Sequence, residues 1–155
     1  MSIEDDIEFF ERVPTLAVLG REALRILAIG AENRYVHNGD VLFRQGDSVE
    51  GAYVVQQGSF RLTAGDGDEA QGMTVGPGTM IGELSLLIET KSTMTATASQ
   101  PSTVIRIPRT LFLKMLEGFP AAAARLRDQI LLRTEETARE MGRVRGILGG
   151  SRDGQ

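Results

Sequence analysis

A chain of 155 residues with 41% apolar content is sized for one domain with a real core, and its net charge of −4 argues against a general affinity for nucleic acid, which needs a concentrated basic face. It has no cysteine and a single histidine, His37, which excludes disulfides, thiol catalysis, cysteine-ligated metal and most histidine metal sites. The acidic start Ser2-Ile3-Glu4-Asp5-Asp6 lacks the basic flank of a signal peptide, and no apolar run is long enough to span a bilayer; the expectation is a cytoplasmic protein with no membrane contact.

The chain opens as helix. Ser2 followed by Asp5 is a capping pattern, and Ile7, Phe10 and Val13 recur at helical spacing until Pro14 stops the run. A short segment, Leu16 to Leu19, is closed by Gly20, and Leu24, Leu27 and Ala28 share one face of the next helix. From about Glu32 the period shortens. Arg34-Tyr35-Val36, Val41 to Phe43, Ala52 to Val55, Phe60 to Thr63, Met73 to Val75, Thr93 to Ala98 and Thr103 to Ile107 read as strands. They are punctuated by turn residues such as Asn38-Gly39-Asp40, Gln45-Gly46-Asp47, Gln57-Gly58 and Gly76-Pro77-Gly78. Short strands with regular glycine turns and no room for crossover helices predict an antiparallel barrel or sandwich. After Pro108 the helical period returns with Leu111, Phe112, Met115 and Leu116, ending near Gly118, and Pro120 suits the first turn of a last helix running to about Leu148. The expected organisation is one domain: helices over 1–31, a β core over 32–108, helices over 109–148 and a polar tail over 149–155.

The segment that carries chemistry is Gly76 to Leu87. A turn leads into a strand, Gly82 permits close approach of a ligand, and Glu83 to Leu87 has the composition of one helical turn. Free amides at a helix start favour an anion, which places a phosphate above Gly82, Glu83, Leu84 and Ser85, with Glu83 accepting from sugar hydroxyls and the Ser85 hydroxyl donating to phosphate. The plainer reading of the same residues is a strand-to-helix turn that fills one end of a barrel.

Three blocks in order, Asn38 to Asp47, Ala52 to Gly58 and Gly78 to Leu87, resemble the cyclic-nucleotide-binding domain of catabolite-activator-type regulators, cyclic-nucleotide-dependent kinases and gated channels. The resemblance runs from about Val13 to about Leu148 and implies a mainly β fold, an eight-stranded antiparallel β-roll (a jelly-roll-like barrel) between flanking helices. It also implies that Glu83 takes a ribose 2′-hydroxyl and that the amides of Leu84 and Ser85 face the cyclic phosphate of cAMP or cGMP. The family's cassette closes on Pro-Arg followed by a small residue. Here Lys91 stands at the proline, Ser92 at the phosphate-pairing arginine and Thr93 at the small residue. Serine cannot replace the planar guanidinium fork, and loss of a hydrogen bond to a charged group, about 1.5–3 kcal/mol, weakens binding roughly 10- to 150-fold. Lys91 supplies a compensating positive charge, although on an extended segment it is expected to point away from the side of Ser92.

In the last helix Ile130, Thr134, Thr137, Met141 and Val144 alternate by fours and threes, a coiled-coil-like seam that suits a homodimer, with Leu126, Leu131 and Leu132 left to pack on the domain itself. The interleaved Arg and Glu of this helix read as a solvated face. His37 reads as an exposed turn residue without metal partners, and Asp66, Asp68 and Glu69 as a polar hairpin tip rather than a calcium loop. No nucleophile–base–acid set is visible, so no enzyme activity, cofactor or metal is expected. DNA binding would need a helix-turn-helix after residue 148, where seven residues stand, so none is expected of these 155 residues. Two functional readings follow. One is a regulatory sensor of a small anionic nucleotide that signals through its C-terminal helix to an effector protein. The other is a degenerate scaffold that keeps the fold for dimerisation or docking.

Overall fold

The computed structural model describes residues 2–65 and 71–132. Three N-terminal helices come first: α1 (Ile3–Phe10), α2 (Pro14–Ala17) and α3 (Arg21–Gly30). The capping box read from the sequence is present. The Asp5 amide donates to the Ser2 hydroxyl at 3.2 Å and the Ser2 amide to the Asp5 carboxylate at 3.3 Å. α1 ends at Phe10, before the expected Val13, and Pro14 does not stop it but is the first residue of α2, where its missing N–H costs nothing.

Ten strands follow: β1 (Glu32–Val36), β2 (Val41–Phe43), β3 (Ser48–Val49), β4 (Gly51–Gln57), β5 (Phe60–Ala64), β6 (Gln71–Val75), β7 (Met80–Ile81), β8 (Thr90–Lys91), β9 (Thr95–Ala98) and β10 (Ser102–Pro108). They form two four-stranded antiparallel sheets, β1-β10-β4-β7 and β2-β9-β5-β6, and a two-stranded ribbon, β3-β8. The two sheets supply the eight expected strands, and the ribbon adds two that are too short to carry an alternating pattern. A ten-residue helix, α4 (Arg109–Gly118), leaves the end of β10, and α5 begins at Pro120 and continues to the last described residue, Leu132. The hairpin tip at Asp66, Asp68 and Glu69, and the seam residues Thr134, Thr137, Met141 and Val144, lie outside the described residues.

Strands β4 and β10 are packed on both faces. Side chains alternate along a strand, so Ala52, Val54, Ile105 and Ile107 enter a helical core with Phe10, Leu16, Leu24, Leu27, Leu86, Phe112 and Leu126. Their neighbours Tyr53, Val55 and Val104 enter a second core inside the roll with Phe43, Phe60, Ile81, Ala96 and Ala98. The register pairs like with like: Val54 opposite Ile105 on the helix side, Val55 opposite Val104 on the roll side. Each such aliphatic side chain contributes about 1.5–3 kcal/mol on burial. Of the leucines expected to pack α5 on its own domain, Leu126 does so, whereas Leu131 and Leu132 are 54% and 59% exposed. The helical period that groups them turns them outward, one position past the packed face. Ile130, from the expected dimer seam, packs at the margin of the helical core.

The tight turn between β4 and β5 requires its glycine. Gly58 has φ +88°, and a Cβ there would stand 2.1 Å from the Ser102 hydroxyl and 2.6 Å from the Pro101 carbonyl oxygen. Gly39 has the same φ with nothing within 4 Å. Gly39→Ala is expected to cost about 1–2 kcal/mol of unfolding free energy, the left-handed penalty alone, and Gly58→Ala that amount plus a further ~1–3 kcal/mol for the overlap. Urea denaturation of the two variants checks this, and equal losses would contradict the packing around Ser102.

Candidate functional site

The turn after β7 is built on Gly82. Its left-handed backbone, φ +80° and ψ 29°, is open to glycine and strained for other residues, and it breaks the strand into a 3-10 turn, Glu83–Leu86. The Ser85 amide donates to the Gly82 carbonyl at 2.9 Å, and the amides of Leu87 and Ile88 both donate to the Leu84 carbonyl, at 3.1 and 3.2 Å. Of the two amides that the resemblance assigns to a phosphate, that of Ser85 is therefore spent within the turn.

The turn divides two cavities. Inside the roll lies a cavity of about 220 Å³, bordered by Gly82, Leu84, Ser85, Lys91, Ser92 and Thr93 together with apolar walls that include Phe43, Leu62 and Met80. Both halves of the cassette read from the sequence therefore meet at one place. Lys91 is the one charged residue among the described residues that border it. β8 ends at Lys91, which is exposed, and the chain bends only after Ser92, at Thr93 and Met94. On the helix side lies a second cavity of about 240 Å³, between α2, the turn, α4 and α5, bordered by Thr15, Glu83, Leu84, Phe112, Leu126 and Ile130.

Glu83 borders this second cavity and is absent from the border of the first. Its carboxylate accepts a hydrogen bond from the Thr15 hydroxyl of α2, a residue 5% exposed. Ser85 is 3% exposed and borders the roll cavity. Ser92 closes on its own loop: its hydroxyl donates to the Met94 carbonyl at 2.5 Å and accepts from the Met94 amide at 3.2 Å. Its main chain ties the same bend to the β2–β3 turn. The Ser92 amide donates to the Asp47 carbonyl and the Gly46 amide to the Ser92 carbonyl, each at 2.8 Å. Ser92 thus shapes the loop that joins β8 to β9.

Two residues that hold the turn had no local signal in the sequence. Thr15 pairs with Glu83 across 68 positions of chain, and no short-range pattern reports such a contact. Arg109, at the start of α4, donates from Nη1 to the carbonyls of Val49, Ser85 and Ile88 at 3.4, 3.3 and 3.2 Å, while its amide donates to the Glu50 carbonyl at 2.8 Å. One guanidinium therefore fastens the turn, the loop after it and the β3–β4 junction to the helix that leaves the roll. His37 is exposed and meets Tyr35 edge-on at 4.6 Å. Among the described residues no group of three or more potential ligands is placed to hold a metal ion, and no helix is long and apolar enough to cross a membrane.

A family model described as the cyclic nucleotide-binding domain matches residues 33–119, more than half of the chain. The lysophospholipase nte1 of Neurospora crassa is 37% identical over 87 residues, which are 55% of this chain and 6% of that protein. The cyclic AMP receptor protein of Thermus thermophilus is 30% identical over 112 residues, 71% of this chain and 52% of that one. The N-terminal domain of a transcriptional regulator from Streptomyces coelicolor superposes with a TM-score of 0.79 at 28% identity, covering 86% of this chain and 94% of that domain. The chain thus spans about half of the Thermus protein and a small part of the fungal enzyme.

Arg109→Ala strips three carbonyls of a charged donor. It is expected to lower the unfolding free energy by about 1–3 kcal/mol and to speed hydrogen exchange at the amides of Leu87 and Ile88. Exchange at those two amides unchanged from the parent would remove Arg109 from its place as the fastening of the turn.

Proposed function

The chain belongs to the cyclic nucleotide-binding domain family, and on that footing we propose that it is a regulatory module whose roll cavity takes cAMP, cGMP or a related small anionic nucleotide. What supports the reading above all is the border of that cavity: both halves of the cassette line it, and its one charged described residue is a lysine. A cation at the border of a largely apolar recess attracts an anionic group and leaves room for a purine against the apolar walls. The phosphate lies toward Gly82, Leu84, Lys91 and Thr93, and Lys91 carries the charge that an arginine at position 92 carries in the family pattern. A lysine binds phosphate as a point charge and gives up the bidentate geometry, so the affinity is modest.

The outward path of the signal follows the packing. Leu86, in the turn, shares the helical core with Phe112 and Met115 of α4 and Leu126 of α5, and Leu87 and Ile130 pack at its margin. A ligand that shifts the turn shifts the seat of α5, and the helix reports occupancy to a partner, either a second copy of the chain or an effector protein. Regulation of this kind accords with the names of the Thermus and Streptomyces relatives.

Calorimetric titration with cAMP and with cGMP tests the reading. The chain is expected to bind at least one of them, and Ser92→Arg to bind the same nucleotide roughly 10- to 150-fold more tightly. If neither the chain nor Ser92→Arg binds either nucleotide, the sensor reading fails and a scaffold without cyclic nucleotide takes its place.

A further inference from the structure

Glu83 is the residue to which the sensor reading assigns the sugar hydroxyl, yet its carboxylate is turned to the helix side of the turn. There it accepts the hydroxyl proton of Thr15, 68 residues earlier in the chain. From the observed partnership we infer that Thr15 is a positioning residue that sets which cavity Glu83 serves, so that ligand in the roll and helix α2 compete for one carboxylate. The inference rests on the sensor reading and goes beyond it by naming what opposes the ligand.

The geometry makes the competition direct. Gly82 and the turn it opens stand between the two cavities, and Leu84 borders both. A carboxylate that engages a hydroxyl in the roll cavity leaves the Thr15 hydroxyl. The affinity measured for ligand is then reduced by whatever the Thr15 contact contributes to the unliganded state. The consequence reaches α2, whose single turn has Pro14 at its start and no side-chain cap. Its Leu16 and Ala17 amides donate to the Val13 carbonyl at 2.9 and 2.8 Å. Release of Thr15 removes a tie between that turn and the cassette, so occupancy of the roll loosens the N-terminal helices.

The test titrates cAMP into the chain, Thr15→Val and Thr15→Ser. Valine keeps the shape of threonine without its hydroxyl, and serine keeps the hydroxyl. Thr15→Val is expected to bind cAMP about ten-fold more tightly than the parent, and Thr15→Ser to stay within about three-fold of it. Hydrogen exchange on the unmodified chain gives a second reading that needs no variant. Saturating cAMP is expected to speed exchange at Leu16 and Ala17, opposite to the slowing that ligand binding commonly brings. If parent and Thr15→Val bind cAMP equally, or exchange at these amides slows, the competition is overturned while the sensor reading stands. If neither protein binds cAMP, the inference is overturned, and the sensor reading fails as well only where cGMP does not bind either.

Discussion

The structure depends on one pair of strands, β4 and β10, that must be apolar on both faces at once. Their alternation sends Ala52, Val54, Ile105 and Ile107 to the helices and Tyr53, Val55 and Val104 into the roll. A slip of one residue in the register would exchange the two sets and ruin both cores together. This pair therefore separates a helical compartment from a roll compartment. β7 hydrogen-bonds to β4 at the edge of the same sheet, with Ile81 opposite Tyr53 and Met80 opposite Val54. The turn that follows β7 stands where the separation ends and has access to both compartments.

That placement gives the turn its chemistry. Gly82 turns the backbone, Ser85 and Leu84 reach the roll cavity, Leu86 anchors in the helical core and Glu83 faces α2. Arg109 holds the turn from behind through three carbonyl oxygens and belongs to the helix that leaves the roll. The segment is held on one side by a guanidinium and on the other by a buried hydroxyl. The Ser92 hydroxyl is occupied with its own loop.

Much of this was legible in the sequence, for identifiable reasons. The capping box at Ser2 and Asp5, the glycine turns at Gly58 and Gly82, and the long alternating strands β4 and β10 are local patterns that local rules read correctly. β3 and β8 were not legible, because a two-residue strand has no period to detect and exists only through its partner. The nearness of Gly82 to Ser85 and Lys91 to Thr93 around one cavity was legible in the sequence for all but Glu83. Which cavity each one faces was not, since Glu83 is turned by Thr15 from a helix 68 positions away. Arg109 was hidden for the same reason, as its acceptors are backbone carbonyls of Val49, Ser85 and Ile88, which leave no mark on residue type.

The most direct test of the central claim, that an anionic nucleotide in the roll draws on the turn between two compartments, is a residue-resolved NMR titration of the chain with cAMP. The account expects chemical-shift changes at Gly82 to Ser85 and Lys91 to Met94 first, accompanied at the same concentrations by changes at Thr15 to Ala17, which do not border the roll cavity. Changes confined to the helix-side cavity around Phe112, Leu126 and Ile130, with Lys91 to Met94 silent, would contradict it.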